Sequence, residues 1–531
     1  MTRAAPKLSW IAPVAAGLSL PQAAFGHGFG ERYDLPVPLG LYLTGAGAAV
    51  GLSFVVMALF LRRAGGGHAY PRLDLLKFRI GRFLMSYAVV QVLQALSVGL
   101  LLLVIYTGAA GTLNQNRNFA VIFVWVIWWV GLAYFSALVG NLWVVVNPWQ
   151  ATFRWAEALY RTLTRGGSLA LNLSYPRRLG VWPGLVLLWA FAWIELGYYA
   201  PSHPPYVALM AINYSYITWI GMLLFGREQW LRHGEAFSLV FSLLARFAPT
   251  ELRVSSPKPC RRCPEECRGY DGECVNCYEC FAKAEPPDRQ WNLRPFAAGL
   301  VRKEEVSLSS MCFVLLLLST VTFDGFMATP LWHSIKALLR DTFPIGQDAV
   351  IFLLFPWARS TPLVIVDTVG LMIVPLLFLG IYLVFCGLVS AAAGFRLSAG
   401  DSARGFIYSL IPIALAYHLA HYFTFLLIQG QWMIPLLSDP LARGWNLLGT
   451  ADYRPDIGIV GAKFAWYTAV TAIVIGHIAA VYVGHVIALR IFGEARLALR
   501  SQYPMLALMV FYTVASLWIL AQPIVETGGK G

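Results

Sequence analysis

Ten apolar stretches of about twenty or more residues decide what this chain can become. Each is long enough, at about 1.5 Å per residue, to cross a hydrocarbon core of roughly 30 Å, where a helix satisfies its own backbone hydrogen bonds. They run over 38–61, 83–107, 119–146, 181–200, 206–225, 308–331, 363–390, 406–428, 459–489 and 504–522. The reading is an all-α, polytopic inner-membrane helical bundle with five spans on each side of a cysteine-rich loop. The expected organisation is a signal peptide over 1–26, a first membrane half over 27–226, the loop over 227–306 and a second membrane half over 307–531.

The signal peptide is read from Arg3 and Lys7, the apolar run over 8–20, and small Ala24 and Gly26 at the cleavage positions. Cleavage there makes His27 the mature N-terminus, either the start of a polar leader or a chelator of a copper-like ion. Charge then sets orientation. With the mature N-terminus outside, 29 of the 40 Lys and Arg fall in connections on the inner side and 9 on the outer side. By the positive-inside rule both mature termini are periplasmic and the cysteine loop is cytoplasmic. The formal net charge of +13 is thereby used for topology, with the lipid bilayer as partner and no nucleic acid. Five spans per half also give the two halves opposite starting sides, the topology of an inverted repeat.

Six of the eight cysteines, Cys260, Cys263, Cys267, Cys274, Cys277 and Cys280, fall within twenty-one residues. Thiols in the cytoplasm stay reduced, and C-x2-C spacing suits one metal ion or cluster better than disulfides. GECVNCYEC matches the first three ligands of a bacterial ferredoxin motif, but the fourth cysteine and its proline are replaced near Lys283, Ala284 and Glu285. An iron–sulfur cluster with an electron-transfer partner, a structural zinc, and reduced thiols with no metal all stay open. Two amphipathic segments, 153–163 and 235–247, are expected to lie along the headgroups with Arg154, Arg161 and Arg246 facing phosphate.

Ionisable side chains inside spans are costly and mark function. His418 and His421 are three residues apart in the eighth span and share a helical face. His477 lies at mid-depth in the ninth span, with His485 eight residues further in; Glu195, Asp324 and Asp367 lie in the outer halves of the fourth, sixth and seventh. The expectation is an intramembrane divalent metal held by His418, His421 and His477, with Asp324, Glu195 or Asp367 as catalytic carboxylates. Interhelical hydrogen bonding is the plainer alternative. Three-residue spacing does not suit two stacked hemes.

Four stretches carry a family resemblance: HGFGERYDLPVPLGLYL after the signal, GEAFSLVFSLLARFAP before the cysteines, LSTVTFDGF in the sixth span and IPIALAYHLAHYF in the eighth. They resemble the bacterial membrane-bound fenitrothion hydrolases, over most of the mature chain. The resemblance implies hydrolysis of a small lipophilic organophosphorus triester to a nitrophenol and a dialkyl thiophosphate. It supplies no catalytic residue set. A metalloredox protein, passing electrons from an iron–sulfur loop to an intramembrane metal, is the alternative, and a transporter a third. The topology is tested by reporter fusions. A phosphatase fused at Gly269 is expected to be inactive and one at the C-terminus active; the reverse pattern inverts the orientation.

Overall fold

The computed structural model describes residues 33–61, 70–198, 200–256, 274–302, 304–342 and 362–526. His27 and Cys260, Cys263 and Cys267 lie outside the described residues, as do the signal-peptide segment and the connection after Thr342. Among the described residues ten helices are long and apolar enough to cross a membrane: Leu39–Phe60, Tyr87–Ala110, Phe119–Leu138, Arg177–Leu196, Pro204–Phe225, Leu308–Met327, Val364–Ala392, Ala399–Ser438, Ala462–Phe492 and Ala495–Gln522. The chain is an all-α polytopic bundle, and these helices are numbered below as spans one to ten.

Burial sorts the spans. In the third, sixth, eighth and ninth, 61–72% of the apolar window is buried within the protein, against 17–28% in the first, second, fourth, fifth and seventh. The intramembrane histidines and Asp324 all lie on the buried group. Close approach between spans eight and nine is set by Gly476, where an added Cβ would lie 2.2 Å from the Ala416 side chain and 2.8 Å from the Pro412 carbonyl. Small residues at a crossing let two backbones meet.

The third span is not regular. Residues Phe123–Gly131 form a nine-residue π-helix between α-helical ends. Such wide turns are rare and change which side chains share a face. This one carries Trp125, Trp128 and Trp129 beside the eighth span. Asn147 then caps the helix Pro148–Leu163, accepting from the Gln150 N–H with Pro148 in the first turn.

A four-stranded sheet sits at the end of the bundle from which the cysteine loop emerges. Strands are β1 Tyr33–Asp34, β2 Leu73–Asp74, β3 Thr250–Val254, β4 Cys274–Val275, β5 Arg289–Leu293 and β6 Val525–Glu526. The order β2-β5-β3-β4 is antiparallel throughout, with Leu252 opposite Trp291 and Val254 opposite Cys274. Its anchor is a buried ion pair, Arg294 Nη1 to Glu251 Oε2 at 2.8 Å, both side chains fully enclosed. Glu251 also accepts from Tyr70 Oη and Arg72 Nε, each at 2.7 Å. Arg294 donates further to the carbonyls of Ala245, Arg246 and Ala248, closing the end of the helix Ala236–Leu244.

The two amphipathic segments depart from expectation. The first half of Pro148–Leu163 is buried and its last turns are exposed. Arg154 reaches Gln91 and Gln94 of span two rather than phosphate. Arg246 pairs with Glu304 at 2.8 Å and lies over the Tyr408 ring at 4.5 Å. Arg161 alone of the three is exposed. Glu235 is buried as the N-cap of Ala236–Leu244, bonded by Tyr214, Trp143, Asn147 and the Phe237 and Ser238 N–H groups. The sequence pattern misled because partners far along the chain, not headgroups, satisfy these groups.

Burial pushes the Glu251 carboxyl up, but Arg294, Tyr70 and Arg72 outweigh it and hold its pKa below the ordinary 4.5. A depressed carboxylate contributes stability that is present above its unfolded pKa and lost as pH falls through the folded value. The sheet is therefore expected to loosen below about pH 4.5. Arg294→Ala is expected to remove about 3–5 kcal/mol at neutral pH. Faster amide exchange in β3 and β5 is the readout.

Candidate functional site

The intramembrane polar residues gather around Asp324 on span six. His421 Nε2 lies 2.8 Å from Asp324 Oδ2, and the Tyr422 hydroxyl donates to the same oxygen. Glu195 of span four stands beside Asp324 and Tyr422, and accepts from Trp129 Nε1 at 3.1 Å. Asp324 and Glu195 are thus joined through one tyrosine and held from a second side by the π-helix tryptophan. The Asp324 side chain is 23% accessible and that of His421 4%, so the carboxylate is the part of this pair left uncovered by the protein.

His418 occupies the inner wall. Its ring meets Tyr422 at 4.8 Å, Tyr134 at 5.3 Å and Trp129 at 6.1 Å between centroids. Neither of its ring nitrogens has a hydrogen-bond partner although the residue is buried. Leaving such a group unpaired costs about 1–3 kcal/mol unless a water or a ligand meets it. The Tyr134 hydroxyl fixes the backbone beneath it, donating to the carbonyls of His418 and Leu419 at 3.1 and 3.2 Å.

The other expected residues lie elsewhere. His477 donates from Nδ1 to the Ile473 carbonyl at 2.8 Å and turns its ring to Tyr512 at 5.8 Å, one layer below the Asp324 cluster. His485 bonds Gln502 and the Leu61 carbonyl. Asp367 pairs with Lys336 at 2.7 Å and accepts from Trp332 Nε1 at 3.0 Å, fastening the helix Pro330–Thr342 to span seven. The structure therefore brings together His418, His421, Asp324 and Glu195, and separates His477 and Asp367 from them. Sequence reading missed Trp129, Tyr134 and Tyr422. Tyr422 directly follows His421, and that adjacency was its one local signal.

Cys274, Cys277 and Cys280 form the second site. Their sulfur atoms lie within 4.8 Å of one another and all three residues are buried; no other group of three His, Cys, Asp or Glu among the described residues converges so closely. The turn that achieves this is made by Asn276, whose φ of 59° is left-handed. Asparagine is one of the few side chains that tolerates that region. Asn276 also locks the turn to β3, its N–H donating to the Leu252 carbonyl and its Oδ1 accepting from the Leu252 N–H. Cys277 then opens the short helix Tyr278–Lys283, which carries Cys280 back to the same side.

Charge surrounds the thiols. Arg232 Nη2 lies 3.8 Å from Cys277 Sγ, Arg227 pairs with Glu279 at 3.0 Å, and Lys283 pairs with Glu228 at 2.8 Å. Burial works against the Lys283 ammonium, yet Glu228 and Glu279 hold its pKa above the ordinary value. For Glu279 burial is the larger influence, reinforced by Glu228 and Cys277, so its pKa is raised despite Arg227. Guanidinium beside sulfur favours the thiolate, the form that binds metal. The donor set fits a thiophilic ion.

These features define a multi-pass helical bundle with a cluster of histidine and carboxylate side chains inside it and, at one end, three buried cysteines placed so that they could hold a metal ion. The chain matches no protein-family model, no curated protein and no solved structure in the comparisons made.

Metal analysis of the purified protein is expected to find a thiophilic metal that is lost in Cys274→Ser and Cys280→Ser. Asn276→Gly is expected to keep it and Asn276→Val to weaken it, because a β-branched side chain resists positive φ. Equal metal content in the wild type and both serine variants would refute the site.

Proposed function

We propose that this chain is a membrane-embedded hydrolase of small, lipophilic organophosphorus triesters, working by acid–base catalysis at the Asp324 cluster. The observation that carries the reading is the buried His418 imidazole, both nitrogens unpartnered, facing an oriented His421–Asp324 pair. The substrate class is supported by the resemblance of four stretches to the fenitrothion hydrolases. A neutral triester dissolves in the bilayer and reaches an intramembrane site without desolvation of charge.

His418 is the general base. Its free lone pair takes a proton from water as the water oxygen bonds to phosphorus. The P–O bond to the aryl group breaks, and a nitrophenolate leaves with the bond pair. Asp324 holds His421 in one orientation through Nε2, and Tyr422 and Trp129 fix Asp324 and Glu195. This assignment replaces the three-histidine metal, since His477 turns toward Tyr512 and Ile473.

At the cysteine site we propose zinc in a structural role. Tetrahedral coordination with Zn–S bonds of about 2.3 Å puts sulfurs about 3.8 Å apart, which the observed clustering within 4.8 Å approaches. An iron–sulfur cluster spreads its thiolates over several irons. With zinc the loop needs no electron-transfer partner. The 29 to 9 charge split supports an orientation with both mature termini on the outer side and the cysteine loop inside, as in a bacterial inner membrane.

His418→Ala is expected to lower nitrophenol release from an aryl phosphotriester by about 10²–10⁴-fold, the usual contribution of a positioned base. Asp324→Asn should reduce it as well, and insertion should be unaffected in both. Wild type should work without oxygen or reductant and show zinc without visible absorption. Dependence on an electron donor, or an iron chromophore, would put the redox alternative in front. Full activity in His418→Ala would refute the base.

A further inference from the structure

Span eight runs into a connection, residues 439–461, that is sewn to the end of the helix by two buried side chains, Gln431 and Ser438. Ser438 Oγ accepts from the Leu448 and Thr450 N–H groups at 2.9 and 3.1 Å, and its carbonyl accepts from the Leu447 N–H at 3.1 Å. Two turns earlier, Gln431 Oε1 accepts from the Tyr453 hydroxyl at 2.8 Å and the Asp456 N–H at 2.9 Å, while its Nε2 donates to the Asp456 carbonyl at 2.9 Å. The Asp439 carboxylate accepts from the Arg443 and Gly444 N–H groups, Asn446 from that of Ala451 and Asp456 from that of Gly458. These eight backbone N–H groups are satisfied without water.

On that backbone the large apolar side chains face outward. Leu447 and Leu448 are 65% and 64% exposed, Ile457 and Ile459 70% and 55%, and Trp445 and Tyr453 are exposed as well. Single exposed leucines are ordinary, but four large aliphatic side chains on one ordered connection make a patch that a water-facing loop avoids. Arg443 shows what borders it. Its Nη2 donates to the Tyr106 hydroxyl at 3.4 Å, and its guanidinium lies 5.8 Å from the centroid of the Trp445 ring. Tyr106 stands in the last turns of span two, the least enclosed of the ten spans, with 17% of its apolar window buried. Span two begins shortly after the strand Leu73–Asp74, so Tyr106 marks the end of the bundle away from the four-stranded sheet. An arginine between a tryptophan and a tyrosine at the end of a span is the composition of a headgroup belt. Exposed Phe464 and Tyr467 follow in the first turns of span nine.

We propose that the connection 439–461 lies in the bilayer, with Leu447, Leu448, Ile457 and Ile459 inserted where headgroups meet acyl chains. The lipid is that of the leaflet away from the sheet, the outer one by the charge split. Lipid covers the patch rather than another protein for two reasons. The patch joins, through Arg443, the span with the most surface left to hydrocarbon. A backbone satisfied from within is also what a water-poor interface demands and a water-facing loop does not. The insertion fixes depth. Gln431 is ten residues past His421 on the same helical stretch, roughly 15 Å along its axis. That sets His421 near the middle of a core about 30 Å thick. The insertion stands whether or not the Asp324 cluster hydrolyses an ester.

The test uses the full chain in phosphatidylcholine liposomes, with an environment-sensitive fluorophore on Leu448→Cys or Ile457→Cys and the unsubstituted chain treated alike as background. Quenchers are iodide on both sides of the membrane and a lipid carrying a nitroxide high on its acyl chain. Both labels are expected to be quenched by the lipid and shielded from iodide. A label on Asn116→Cys, exposed in the connection between spans two and three at the same end, is expected to show the reverse. Because a fluorophore can itself favour lipid, Trp445 supplies an unlabelled check: the emission difference between wild type and Trp445→Phe is expected to be lost in brominated lipid. Iodide quenching of both labels to the Asn116→Cys level, without lipid quenching, would overturn the insertion. Labels shielded from both quenchers would also overturn it, in favour of a second copy or another protein on the patch. A Trp445 difference unmoved by brominated lipid would assign the insertion to the labels and overturn it too.

Discussion

Hydrocarbon offers no hydrogen-bond partners, and that single deprivation arranges the rest of this protein. Backbone groups meet it by forming helices, and side chains meet it by finding one another. The spans divide accordingly. The most enclosed helices hold His418, His421, His477 and Asp324, while the lipid-facing ones are built almost wholly of apolar residues. Histidine and carboxylate side chains gather about Asp324, joined from span four by Glu195, while other polar residues such as Gln94, Thr218 and Asp367 are buried on other spans. Gly476 and Gly325 make the enclosed interior possible. One lets spans eight and nine touch, and the other admits the Tyr417 hydroxyl.

The same economy operates outside the membrane, with charge in place of close packing. Glu251 accepts from three donors carried by separate segments, residues 70–72 and Arg294, and so ties span one's exit, the loop's first strand and its last strand into one sheet. A buried ion pair is weak support on its own, because desolvation offsets much of the attraction. Here the remaining lone pairs and N–H groups are taken up by Tyr70, Arg72 and helix-end carbonyls. The pair sets register more than it adds stability, and register is what places Cys274 opposite Val254.

What was legible in the sequence was what local windows encode. Hydropathy over about twenty residues marks a span wherever it packs, so all ten stretches reappear as helices with shifted ends. The i, i+3 spacing put His418 and His421 on one face. Residues brought in by tertiary packing were not legible. Trp129 reaches Glu195 only because a π-helix re-aims it, and nothing in FVWVIWWVG announces that register change. The sheet was missed because its strands are two to five residues long and spread from Leu73 to Leu293. Arg246 was misread for a related reason: its partner Glu304 is distant in the chain, and amphipathicity alone cannot tell a headgroup from a buried carboxylate.

The helix Ala236–Leu244 joins the two sites mechanically. Its cap, Glu235, is bonded by Trp143 and Tyr214, and its first turn places Phe237 against Trp128 at 4.4 Å, Phe191 at 5.0 Å and Trp129 at 6.1 Å between ring centroids. Edge-to-face pairs of this kind fix ring orientation as well as burying area. Trp129 therefore presents its N–H to Glu195 with its indole braced from below. The helix just before it in the chain, Arg227–His233, meets the cysteine turn through Arg227 and Arg232. Contact runs without a break from the thiols, through the two guanidinium groups, the Glu235 cap and the packed rings, to the carboxylates, so the position of the cysteine turn and that of Trp129 are set through one continuous set of elements.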